Sequence, residues 1–180
     1  MEIKGAAFLY ALAGIMITFA GFSALLLTVR AATGAKMSVL DRFLAKTVMT
    51  HIFVLTAAAL MPALFALYDM PEKSIWRVSG LLFAVTMVPL QLTYPSRRRK
   101  AIGEAAPPAI YAVFVVLGAA VTLAMLGYVL LGLQHIAAAY ITALTIDFFT
   151  VVASYLVALE VILRQSSEVP ERPAPISSES

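Results

Sequence analysis

The stretch GAAFLYALAGIMITFAGFSALLLTV, residues 5–29, contains no charged side chain and is closed by Arg30. Coiled as an α-helix it spans roughly 37 Å, more than the ~30 Å hydrocarbon core of a bilayer. It is too long for the apolar region of a cleaved signal peptide, about 7 to 15 residues, so it reads as a membrane anchor. Four further runs repeat the pattern, at 47–68, 75–94, 108–131 and 137–163. Apolar blocks of this length predict an all-α integral membrane bundle of five transmembrane helices, whereas a β-barrel would need short alternating segments.

Composition agrees. Hydrophobic residues make up 62% of the 180 and charged residues 13%, with a mean hydropathy of +0.93, whereas soluble domains carry about 25% charged residues. Cysteine is absent, which excludes disulfides, thiolate metal sites and a cysteine nucleophile. The net charge of +3 does not point to nucleic acid, because the positive charges flank the apolar spans, where they report orientation. Arg30, Lys36, Arg42, Lys46, the run Arg97, Arg98, Arg99, Lys100, and then Arg164 and Arg172 fall on one side; Lys4, Lys73 and Arg77 fall on the other. The bias predicts a multi-pass membrane protein with its first and third connections and its C-terminus in the cytoplasm and its N-terminus outside.

The connections have local signatures. SVLD at 38–41 is a capping-box start, and RFLAK after it predicts a short interfacial helix lying flat before the second span. DMPEK at 69–73 is a proline turn, YPSRRRK at 94–100 ends one span, and GLQH at 132–135 is a tight hairpin. Residues 1–164 form the predicted bundle domain. The tail 165–180, rich in proline and serine, has little to bury and is expected to be disordered.

Polar residues inside the spans are the candidates for function. Asp147 lies in ITALTIDFFTVV, residues 141–152, and an aspartate at the centre of a membrane helix costs ~2.5 to 3.5 kcal/mol on insertion scales, so it should face the bundle. Tyr140, Thr150 and Ser154 share its face at helical spacing. The stripe is either a proton, ion or substrate site, or a packing site in which a protonated or hydroxyl-bonded aspartic acid fixes helix contacts. Thr47, Thr50 and His51 on the second span and Gln91 on the third form a candidate inner polar cluster. Haem held by paired histidines is not expected, since His135 lies at the opposite end from His51; no cofactor or metal is indicated. Arg77 is too far above Asp147 to pair with it without reaching down, and it is expected to point up beside Trp76.

Two surfaces remain. Ala7, Ala11, Gly14, Thr18 and Gly21 form a small-residue seam on the first span, expected to pack on a helix of this chain or of another copy. Ala120, Ala124 and Gly127 repeat the pattern on the fourth. Arg97, Arg98, Arg99 and Lys100 are placed to meet anionic lipid headgroups. Expected partners are the bilayer, a second copy or another membrane protein, and no nucleic acid.

GFSALLL at 21–27, VLDRF at 39–43 and IWRVSG at 75–80 resemble an uncharacterised family of small bacterial polytopic inner-membrane proteins, a likeness confined to the first half of the chain. The resemblance implies bacterial inner-membrane residence and no activity or site residue. Glycine-rich phosphate loops, HExxH motifs and nucleophile elbows are absent. The expected function is therefore a non-enzymatic structural or accessory subunit of a membrane assembly, with a small transporter or proton or cation conductor built on Asp147 as the alternative.

Overall fold

A computed structural model describes residues 5–32 and 38–167. Among these the chain forms six helices: α1 (Ala6–Ala32), α2 (Val39–Ala66), α3 (Glu72–Leu92), α4 (Tyr94–Ile102), α5 (Pro108–Leu131) and α6 (Ile136–Ser167). All but α4 are long and apolar enough to cross a membrane, so the five-span, all-α reading of the sequence is met. The predicted tail lies largely outside the described residues, while α6 runs three residues past the expected limit of the bundle.

Two connections differ from expectation. The interfacial helix expected before the second span is not separate: α2 is one helix from Val39, started by the predicted capping box, in which Ser38 Oγ accepts from Asp41 N (3.0 Å) and Asp41 Oδ2 from Ser38 N (2.9 Å). With both orphan donors satisfied there, nothing in the sequence interrupts the helix before the membrane. The short helix lies instead after the third span. Pro95 falls in the first turn of α4, where its missing N–H costs little, and Arg99 and Lys100 fall in the last turn, where the helix dipole favours cations.

The core is built from α2, α3, α5 and α6, with α1 packed mainly along α2. Leu55, Ile75, Met87, Tyr140 and Leu144 are fully buried. α1 touches α6 through Phe19, which meets the rings of Phe148 (6.0 Å) and Tyr155 (5.6 Å) edge-on. Within α5, Tyr111–Leu117 is π-helical. Such wide turns are rare and shift the facing of the residues that follow; here the next buried positions are Gly118, Ala119 and Thr122.

Proline inside a helix removes a donor and frees the carbonyl four residues earlier. Pro62 does this to Ala58 in α2. The buried Tyr140 hydroxyl of α6 donates to that carbonyl at 2.6 Å, so a backbone group that lipid could not satisfy is satisfied by a neighbouring helix.

Candidate functional site

Asp147 is completely buried, as the stripe of small and polar neighbours on α6 requires. Its two carboxyl oxygens accept from two other helices: Gln91 Nε2 of α3 donates to Oδ1 (2.9 Å) and Thr122 Oγ1 of α5 donates to Oδ2 (2.7 Å). Three spans thus meet at one carboxyl, level with the middle of α5. Gly118 permits the meeting. A Cβ at this position would stand 2.6 Å from Gln91 Nε2 and 3.1 Å from Asp147 Oδ1, so a side chain there would push the Gln91 amide off its place beside Asp147, and its absence lets α5 pack closely.

The partners expected from the α6 face do other things. Thr150 donates to the Asp147 backbone carbonyl (2.8 Å), Tyr140 reaches Ala58, and Ser154 Oγ has no partner among the described residues. The sequence placed Gln91 with His51; the structure gives its amide nitrogen to Asp147 and leaves its Oε1 buried without a partner. Thr122 and Gly118 were missed altogether. Their signal was the spacing Gly-x-x-x-Thr in an otherwise apolar span, a small residue one turn before a hydroxyl.

About one helical turn along α6 from Asp147, toward α4, a second polar layer surrounds His51. Its ring is buried, packs against Phe114 (centroids 4.8 Å apart) and has Nδ1 2.7 Å from the Thr47 carbonyl. A carbonyl only accepts, so Nδ1 carries the proton and Nε2 presents a lone pair. Nε2 has no partner. His51, Thr47, Phe114, Val151 and Ser154 border a cavity of about 20 Å³, enough for one water molecule. Thr50, expected in this cluster, turns away and donates to Lys46 O (2.8 Å).

The basic run divides. Arg99 and Lys100 are exposed, but Arg98 is buried and Arg97 folds back to donate to the Leu90 carbonyl (2.6 Å). Half of the expected headgroup patch therefore belongs to the protein. Burial also lowers the pKa of Arg97 from its ordinary value. Arg77 does not reach Asp147: it points up, and its guanidinium lies against Gly132 in the α5–α6 turn.

The small-residue seam is corrected as an internal contact. Ala7, Ala11, Gly14, Thr18 and Gly21 are all exposed, and no atom of the described residues lies near a Cβ built on Gly14 or Gly21. The inward face carries Leu9, Leu12, Ala13 and Met16. Leu9, Leu12 and Met16 are larger than the seam residues and make more dispersion contacts with the bundle, so their face takes the interface. Among the described residues no three His, Asp or Glu side chains gather closely enough to hold a metal ion.

No known family model matches this chain, and no curated protein or solved structure matches it either.

Proposed function

We propose that this protein is a non-enzymatic structural or accessory subunit of a membrane assembly, and that Asp147 closes its own bundle rather than handling a substrate. The reading is carried by the engagement of both carboxyl oxygens, each of which accepts from a different helix. A site that exchanges protons or cations needs a group that can change partners. Here the cavity one turn away is lined by Val151 and Ser154 and not by Asp147. The seam exposed on α1 supplies an outer face on which another helix can sit closely, and Arg99 and Lys100 supply the contact with anionic headgroups, about 1 kcal/mol each. The asymmetry of basic residues and the partial resemblance support residence in a bacterial inner membrane, N-terminus outside and C-terminus in the cytoplasm.

A second reading, proton or cation conduction through Asp147, draws support from the bare Nε2 of His51 facing its small cavity. Reconstituted protein separates the two. On the structural reading, wild type and Asp147→Asn both show proton flux no greater than empty liposomes and similar detergent stability. Flux in wild type that vanishes in Asp147→Asn at unchanged stability would overturn it.

A further inference from the structure

At the end of the bundle opposite α4, a cleft of about 590 Å³ opens between the start of α3, the α5–α6 turn and the start of α6. Its rim carries Glu72, Lys73, Gln134 and His135, and its floor includes Trp76 and Ile141. The volume is that of a small-molecule site, about 300 to 1,000 Å³. A second groove of about 410 Å³ runs between α5 and α6, bordered by Val121, Ala124, Tyr128, Thr142 and Ile146. His135 and Ala138 line both, so the charged cleft and the apolar groove share a wall. From His135 to Ile146 the helix rises about 16 Å, close to half of the ~30 Å hydrocarbon core. The groove therefore has the length of one leaflet.

The residue at the junction is held unusually. His135 has φ +66°, a left-handed conformation that costs a residue with a Cβ of order 1 to 3 kcal/mol and gathers at ligand-holding positions. Beside it, Trp76 Nε1 lies 3.4 Å from Glu72 Oε1 and fixes the carboxylate at the rim. Lys73 is its neighbour in sequence, and Arg77, with its Nε buried and unpartnered, backs Gly132 in the cleft wall. A rim that carries both an acid and a base suits a zwitterion. A purely anionic headgroup would meet Glu72 unfavourably, and a quaternary ammonium has no N–H to offer Glu72 or the Gln134 side-chain carbonyl.

We propose that the cleft and groove hold one phospholipid of the leaflet opposite α4, bearing a primary ammonium headgroup: its phosphate meets Lys73 and His135, its ammonium meets Glu72, and one acyl chain lies along α5 and α6. The assignment is independent of the role of Asp147. It distinguishes this face from the outward face of α1, where a groove of similar volume is lined by Ala11, Gly14, Ile15, Thr18, Phe19 and Phe22 and has no charged rim.

Native mass spectrometry of the full chain in mild detergent tests it, with phosphatidylethanolamine, phosphatidylglycerol and phosphatidylcholine of identical acyl chains supplied in equal amounts. Wild type is expected to retain phosphatidylethanolamine about tenfold over either other lipid. Ala138→Phe and Ala124→Phe, at exposed positions that block the groove, are each expected to lower retention about tenfold, and Ala11→Phe to leave it unchanged. Glu72→Gln is expected to erase the preference over phosphatidylcholine. Equal retention of the three lipids by wild type would mean annular lipid only and would overturn the proposal. So would wild-type retention in a groove-blocked variant of normal thermal stability, or equal binding of soluble glycerophosphoethanolamine, which would leave the groove no part.

Discussion

The two polar layers of the bundle lie about one helical turn apart and have opposite hydrogen-bond economies. At Asp147 three helices converge and both carboxyl oxygens are occupied. At His51 the single hydrogen bond stays within α2, and both His51 Nε2 and Ser154 Oγ are left over beside a small cavity. Burial alone does not distinguish them, since Asp147 and His51 are equally inaccessible. The difference is whether a polar group is bonded across helices or along one. Only the first kind opposes separation of the helices, and it is worth about 0.6 to 2 kcal/mol per bond in a membrane.

The sharpest way to break the contrast is to fill the space that lets the upper layer form. Gly118→Leu drives a side chain into Gln91 and Asp147, and overpacking combined with loss of both bonds is expected to cost about 3 kcal/mol or more. Thermal unfolding in detergent should show either a large fall in the midpoint or no folded material. Asp147→Leu removes the hub but not the space, and is expected to cost about 1 to 2 kcal/mol. Asp147→Asn should cost well under half of that. Its amide oxygen still accepts from Gln91, and Thr122 Oγ1, 3.1 Å from the Gly118 carbonyl, can turn its hydrogen there and accept from the new amide nitrogen. Equal losses for Leu and Asn would show that the charge, not the hydrogen-bond geometry, holds the layer.

Tyr140→Phe should cost about 1 kcal/mol by orphaning the Ala58 carbonyl, and the cost should disappear in Pro62→Ala, which restores the helical donor. An undiminished cost in the double variant would assign the loss to packing around the ring. His51→Leu, in the lower layer, is expected to change stability by less than about 0.5 kcal/mol, because no bond between helices is lost. A loss as large as that of Asp147→Leu would erase the distinction between the layers.

The spans were legible because lipid imposes a simple rule of length and polarity, and GAAFLYALAGIMITFAGFSALLLTV obeys it. That Asp147 must face inward was equally legible, since the cost of exposing it to lipid exceeds any local preference. Its partners were not. Gln91 and Thr122 are 56 and 25 residues away in sequence, and one chain read alone carries no information on which faces of different helices meet. The α1 seam shows the same limit from the other direction: small residues permit close approach but do not compel it, and the larger side chains of the adjoining face took the contact. At Arg98, charge in the sequence implied exposure, and packing against the bundle overrode it.

The carboxyl hub also sets an order of events during synthesis. Gln91 and Thr122 emerge from the ribosome before Asp147, Thr122 by 25 residues, which at ~5 to 20 residues per second is a wait of about one to five seconds. In that interval α3 and α5 carry polar side chains with no carboxyl to receive them. α6 therefore arrives as the keystone of an arch already raised on both sides, and a chain that stalls before it leaves the Gln91 amide without its carboxyl acceptor, while Thr122 falls back on the Gly118 carbonyl of its own helix.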